Sequence, residues 1–235
     1  AKGLGYAQNP MDYTWPQEFD DLAAEARQWV AEATSDLFNT AYRWLGHLRG
    51  GLASATIAAC AGFAALSGSS LASAVTMGRV ALPQMKKHKY EDGLATGSVA
   101  AGGTLGFLIP PSGGMIIYAI LTEQSIGRLF MAGIIPGILL TLLFIGAIYL
   151  VVARRPESGP PGEKSTLKER MVSLRLALPI VAVVIITIGG MYTGFFTPVE
   201  ASAVGAFLTF VVALARRSLS WAKMRTVVLD TMSAT

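Results

Sequence analysis

Residues Gly93–Thr122 read GLATGSVAAGGTLGFLIPPSGGMIIYAILT, thirty positions without a single Asp, Glu, Lys or Arg. The run is long enough to cross a hydrocarbon core of about 30 Å, yet Gly102-Gly103, Gly106, Pro110-Pro111 and Gly113-Gly114 crowd its middle. Two adjacent prolines remove two backbone donors and forbid a continuous helix. The stretch therefore predicts two half-helices joined by an unwound segment around Gly103–Ser112. Three more uncharged runs, Gly51–Gly78, Leu129–Ala153 and Leu176–Val199, share the chain with it. Of the 235 residues 52% are hydrophobic and only 14% charged, against about a quarter charged in soluble domains. The fold class expected is an all-α polytopic membrane protein.

Upstream lies a second irregularity. Leu52–Leu66 is apolar, Ser67-Gly68-Ser69-Ser70 interrupts, and Leu71–Met85 resumes. An arm of this length makes roughly 22 Å of helix, too short to span. Arg43 and Arg49 precede the pair, and Arg79, Lys86, Lys87 and Lys89 accompany its far end. A re-entrant hairpin over 51–92 that enters and leaves on one side satisfies both facts. The remaining boundaries follow: an N-terminal loop and amphipathic helix over 1–36, an interfacial segment over 37–50, the broken helix over 93–128 and a plain span over 129–153. A polar loop over 154–175, two membrane helices over 176–215 and a basic segment over 216–235 complete the map. Counted along it, every Lys/Arg cluster falls on one side, as cytoplasmic loops require. The basic groups sit in these loops, so the pI of about 9.3 does not point to nucleic acid. Cys60 is the one cysteine, which excludes an intramolecular disulfide and a Cys/His metal cluster. Ala1–Thr14 lacks the apolar core of a signal peptide.

Irregular backbone at membrane depth is costly unless it is buried or lines a cavity. Two such breaks offer carbonyl and hydroxyl oxygens, which suit hard cations, and half-helix N-termini, which attract anions. The combination fits a sodium-coupled carrier of anions. The bland alternative is that the serines and glycines only permit close helix packing.

Several ordered motifs then match a known family. Arg49-Gly50-Gly51-Leu52-Ala53, Ser67–Ser70, Pro83–Met85, Gly103-Thr104-Leu105-Gly106 with Ile109–Ser112, Leu129–Gly133 with Pro136-Gly137, and Gly194–Ala201 follow in sequence. Across Leu37–Ala215 the chain resembles the large membrane subunit (DctM-like) of tripartite ATP-independent periplasmic (TRAP) transporters. The resemblance implies one half of an inverted-repeat, ion-transporter-type fold and a sodium-driven elevator mechanism in a bacterial or archaeal cytoplasmic membrane. It also implies a small DctQ-like membrane subunit, a DctP-like periplasmic binding protein, and organic acid anions such as C4-dicarboxylates or sialic acid as cargo. By position it assigns Ser67, Gly68, Ser69, Ser70, Gly103, Thr104, Gly106 and Pro110 to sodium, and Ser70, Pro111 and Ser112 to substrate. The family continues into a second half with another hairpin and another Pro-Pro break, so the chain is expected to be a fragment.

Thr197 and Glu200 complete the candidate substrate set. Glu200 is the one acid between Leu176 and Ala215, and intramembrane carboxylates are functional candidates by default. Thr197-Pro198-Val199-Glu200 also reads as a helix capping box, which is the preferred reading. His47 and His88 sit among basic loop residues, and Arg79 is expected to snorkel to the interface. A rival reading, an intramembrane serine hydrolase using an SGSS serine, would need a base within reach, and it is disfavoured because neither histidine lies in a membrane segment. A non-transporting membrane scaffold subunit is the alternative to transport.

Overall fold

The computed structural model describes residues 34–162 and 165–215. The amphipathic helix expected before residue 34, Lys164 and the basic segment from Arg216 onward lie outside them. Residues 34–45 form helix α1, followed by α2 (Gly51–Ser67), α3 (Ser70–Lys87), α4 (Asp92–Leu108), α5 (Gly113–Leu121), α6 (Ile126–Arg154), α7 (Leu167–Tyr192) and α8 (Pro198–Ala215). Among the described residues there is no strand. The protein is an all-helical polytopic membrane protein: α6 and α7 are long and apolar enough to cross a bilayer, and α4 with α5 is apolar enough as a pair, bent by 42° at the break between them.

Helix α2 is apolar on every side, and its burial matches. Leu52, Ala53, Ile57, Cys60 and Ala64 are all inaccessible, held between α3, α4 and α6. Small residues make this possible. Gly102 of α4 sits so close to α2 that a Cβ there would lie 2.7 Å from Cys60 Sγ. Helices in a bilayer gain no hydrophobic drive from facing each other rather than lipid, so such backbone approach supplies the association energy.

One end of the molecule gathers the hairpin base. Gly50 N–H donates to Gly159 O, Glu91 N–H to Ser158 O, Gly162 N–H to Gly46 O, and the Ser158 hydroxyl to the Glu91 carboxylate. Leu52 N–H donates to the Tyr90 hydroxyl. Burial, the larger influence on Tyr90, lifts its pKa against the lowering by that N–H, so the phenol stays protonated. Arg49, Lys86, Lys87, Lys89, Arg154 and Arg155 all border this end. The opposite end, where α5 passes to α6 and α7 to α8, carries Glu123, Arg128 and Glu200. The separation matches the charge asymmetry read along the sequence.

Two expectations need correction. The unwound segment is Ile109–Ser112, not Gly103–Ser112, because α4 stays helical to Leu108. The glycines before the prolines keep their ladder hydrogen bonds; what they lack is side-chain bulk. The polar loop after α6 is shorter than 154–175. Helix α7 begins at Leu167, where Thr166 and Glu169 form a capping box. Its first turns carry the loop's charges: Arg43 pairs with Glu169 at 3.4 Å, and Arg170 bonds His47 Nδ1 and lies over Trp44. The segment expected at the interface over 37–50 continues α1 to residue 45, and the chain then turns into α2.

Candidate functional site

The two irregular segments meet. Ser67 closes α2, Ser70 opens α3, and only Gly68 and Ser69 between them are non-helical. Gly68 adopts φ 60°, the left-handed conformation, and its N–H caps α2 through Ala64 O. Its carbonyl accepts the Gly113 N–H at 3.1 Å, which ties the hairpin tip to the start of α5. A Cβ on Gly68 would lie 2.6 Å from Pro111 O. Positive φ and this contact both require glycine.

The tip is closed by its serines. Ser69 is the N-cap of α3, its hydroxyl accepting from Ala72 N–H at 3.3 Å. The Ser67 hydroxyl lies 3.4 Å from the Ser69 carbonyl and 3.1 Å from the Ser73 hydroxyl. Ser73 is fully buried and donates to Ser69 O at 2.8 Å. Ser73 is not among the candidates the sequence offers, although its spacing four residues after Ser69 marks it as a first-turn side chain able to reach back to the tip.

The facing break has a matching end. Ser112 is the N-cap of α5 with nearly the same backbone as Ser69, φ −126° and ψ 125° against −129° and 123°. Its hydroxyl accepts from Met115 N–H and donates to Phe107 O at 2.7 Å, crossing the Pro-Pro step. Ser112 and Pro110 are inaccessible to solvent. The junction thus joins two helix C-termini, of α2 and α4, with two N-termini, of α3 and α5. Their partial charges bring both signs to one place: carbonyl ends suited to a cation and N–H ends suited to a carboxylate.

Each candidate can now be located. Ser67, Gly68, Ser69 and Ser70 form the tip, with Pro110, Pro111 and Ser112 against it. Gly103 and Gly106 belong to α4 and face α3: a Cβ on Gly106 would stand 2.8 Å from Ser69 O, and one on Gly103 2.6 Å from the Ala74 Cβ. They let the helices touch. Thr104 is exposed, and its hydroxyl is committed to Ala101 O at 2.6 Å.

Thr197 and Glu200 are not brought to the junction. Glu200 accepts from Thr197 N–H at 2.8 Å and from its hydroxyl at 2.9 Å, and Thr197 Oγ1 accepts from Glu200 N–H. This is the capping box preferred from sequence. The adjoining Pro198 faces Gly127 at the start of α6, whereas Leu108, Ile109 and Met115, on either side of the Pro-Pro step, face Gly133 and Gly137. Along α6 these levels are roughly 9–15 Å apart.

Residues 30–235 match the sequence profile described as "Tripartite ATP-independent periplasmic transporter, DctM component". The chain belongs to this family. Its relatives include the C4-dicarboxylate TRAP transporter large permease protein DctM of Pseudomonas aeruginosa, 44% identical over 76% of this chain and 41% of the relative. The ectoine/5-hydroxyectoine TRAP transporter large permease protein UehC of Ruegeria pomeroyi is 38% identical over 87% of this chain and 46% of the relative. The sialic acid TRAP transporter large permease protein SiaM of Vibrio cholerae is 37% identical over 75% and 41%. The chain spans less than half the length of these relatives.

Proposed function

We propose that this DctM-family chain forms the first half of the large permease of a sodium-coupled TRAP transporter for organic acid anions, such as C4-dicarboxylates or sialic acid. The carrier sits in the cytoplasmic membrane with a DctQ-like small subunit and a DctP-like periplasmic binding protein. One observation carries the reading: the Gly68 O to Gly113 N–H bond holds two interrupted helices tip to tip, so that serine hydroxyls and helix-terminal carbonyls share one small volume. Sodium is a hard cation and takes oxygen ligands of this kind, as hard cations do generally. Ser67 and Ser69 would present hydroxyls to it, and Ser69 O and the last carbonyls of α2 and α4 would supply the rest. Ser70, Pro111 and Ser112 border the N-terminal ends of α3 and α5, where a substrate carboxylate would be favoured.

The relatives' names include permeases for different cargoes, which is consistent with a shared ion-coupled device and a separate determinant of selectivity. The second reading, a scaffold subunit without transport, takes support from Gly103 and Gly106, whose observed contacts are packing contacts. Uptake assays separate the two. In a complete parent transporter with both partners, Ser67→Ala and Ser69→Ala should each raise the sodium concentration for half-maximal uptake severalfold at unchanged expression. Unchanged sodium dependence in both variants would leave the scaffold reading standing.

A further inference from the structure

Arg79 stands apart from every other charge in the described residues. It lies seven residues, about 10 Å along the helix, inward from Lys86 and the basic end of the molecule. It is exposed, and its side chain has no ion pair or hydrogen bond with any described residue. Among the described residues, the helices around it offer no nearby acid: α2 and α3 contain none, and α4 has only Asp92 in its first turn. A cation held within the membrane is costly unless an anion pairs with it.

The surroundings favour an amphiphile. Arg79 and Lys86 border an open groove of about 650 Å³ whose other walls are apolar, among them Val75, Gly78, Leu82 and Pro83 of α3 and Val99 of α4. From Ala74 to Lys86 it runs twelve residues, or roughly 18 Å. Pro83 also sits four residues after Arg79 and has no N–H to give its carbonyl. The groove therefore combines an apolar bed, a cation at its basic end in Lys86, a second about two helical turns inward in Arg79, and a backbone acceptor without its helical donor.

We infer that this groove is a binding site for one anionic glycerophospholipid, its phosphate on Arg79 and Lys86 and an acyl chain along α3. The phosphate supplies the counter-charge that no described residue gives, and a headgroup hydroxyl can donate to the Arg79 carbonyl.

The test uses the full chain with Cys60→Ala, purified from mixed vesicles of phosphatidylglycerol and phosphatidylcholine, with the retained lipids quantified. Phosphatidylglycerol should be enriched at least threefold over the bulk ratio. Arg79→Gln with Lys86→Gln should return the ratio to bulk, Arg79→Lys should keep most of the enrichment, and Arg128→Gln at the other end should leave it unchanged. Circular dichroism checks that each variant stays helical, and a photoreactive acyl chain should label Ala74–Lys86. Bulk-ratio retention by the parent chain, enrichment that survives the double substitution, or labelling confined to other helices would overturn the assignment. So would a Val75→Cys disulfide between two chains at high yield, which would give the groove to a second copy.

Discussion

Gly68 is where one side chain would do most harm. A residue other than glycine at φ 60° costs about 1–2 kcal/mol, and forcing a methyl 2.6 Å from Pro111 O adds an overpacking cost of about 1–3 kcal/mol. Gly68→Ala should therefore lower the thermal midpoint of the detergent-solubilised chain by several degrees. Gly97→Ala is the control. That glycine is helical with nothing within 4 Å of a built Cβ, so alanine there should be neutral or stabilise by about 0.5–1 kcal/mol. Equal melting of both variants would mean that tip and break do not touch. At the same scale, Glu200→Gln in a complete parent transporter should leave substrate affinity unchanged, since the carboxylate is occupied by its own cap. A large rise in half-saturation for substrate would restore Glu200 to the binding set. The sequence holds both roles of Glu200 open, and the hydrogen bonds to Thr197 supply the cap. Ser73 shows the reverse case: an ordinary helical serine in the sequence, it acquires meaning from a tip that bends back over it.

Among elements, the break between α4 and α5 is set by chemistry that no packing can repair. Pro110 and Pro111 have no N–H, so the ladder stops and the halves bend by 42°. The bend presents Gly113 N–H to the hairpin. Replacing both prolines with alanine should let α4 and α5 run on as one helix. The distance between spin labels on Thr96→Cys and Ile120→Cys in a Cys60→Ala background should then lengthen as the bend straightens. An unaltered distance would show that tertiary contacts, and not the prolines, hold the bend. The hairpin arms were legible because fifteen apolar residues cannot span. The extent of unwinding was not, since glycines permit either helix or loop, and here contact with α3 keeps Gly103 and Gly106 helical.

For the molecule as a whole, the gathering of basic residues at one end makes a sidedness prediction. In a Cys60→Ala background, Lys87→Cys and Gln124→Cys should react with a membrane-impermeant maleimide from opposite faces, Lys87 from the cytoplasm. Labelling from the same face would remove the re-entrant hairpin. Much of this architecture could be read from the chain alone, because hydropathy, charge placement and proline respond to the bilayer and to local backbone rules rather than to distant contacts. Residues such as Ser67–Ser70 and Pro110-Pro111 announce breaks wherever they occur. What tertiary structure alone decided is which breaks meet, and which faces the neighbouring side chains turn. Gly68 bonds Gly113, forty-five positions away, because α2 and α4 are small enough at Cys60 and Gly102 to close together. The same closeness turns Gly103 and Gly106 toward α3 and leaves Thr104 outside. Such pairings depend on backbone separations of a few ångströms, set by many side chains at once, and no single stretch of sequence contains them.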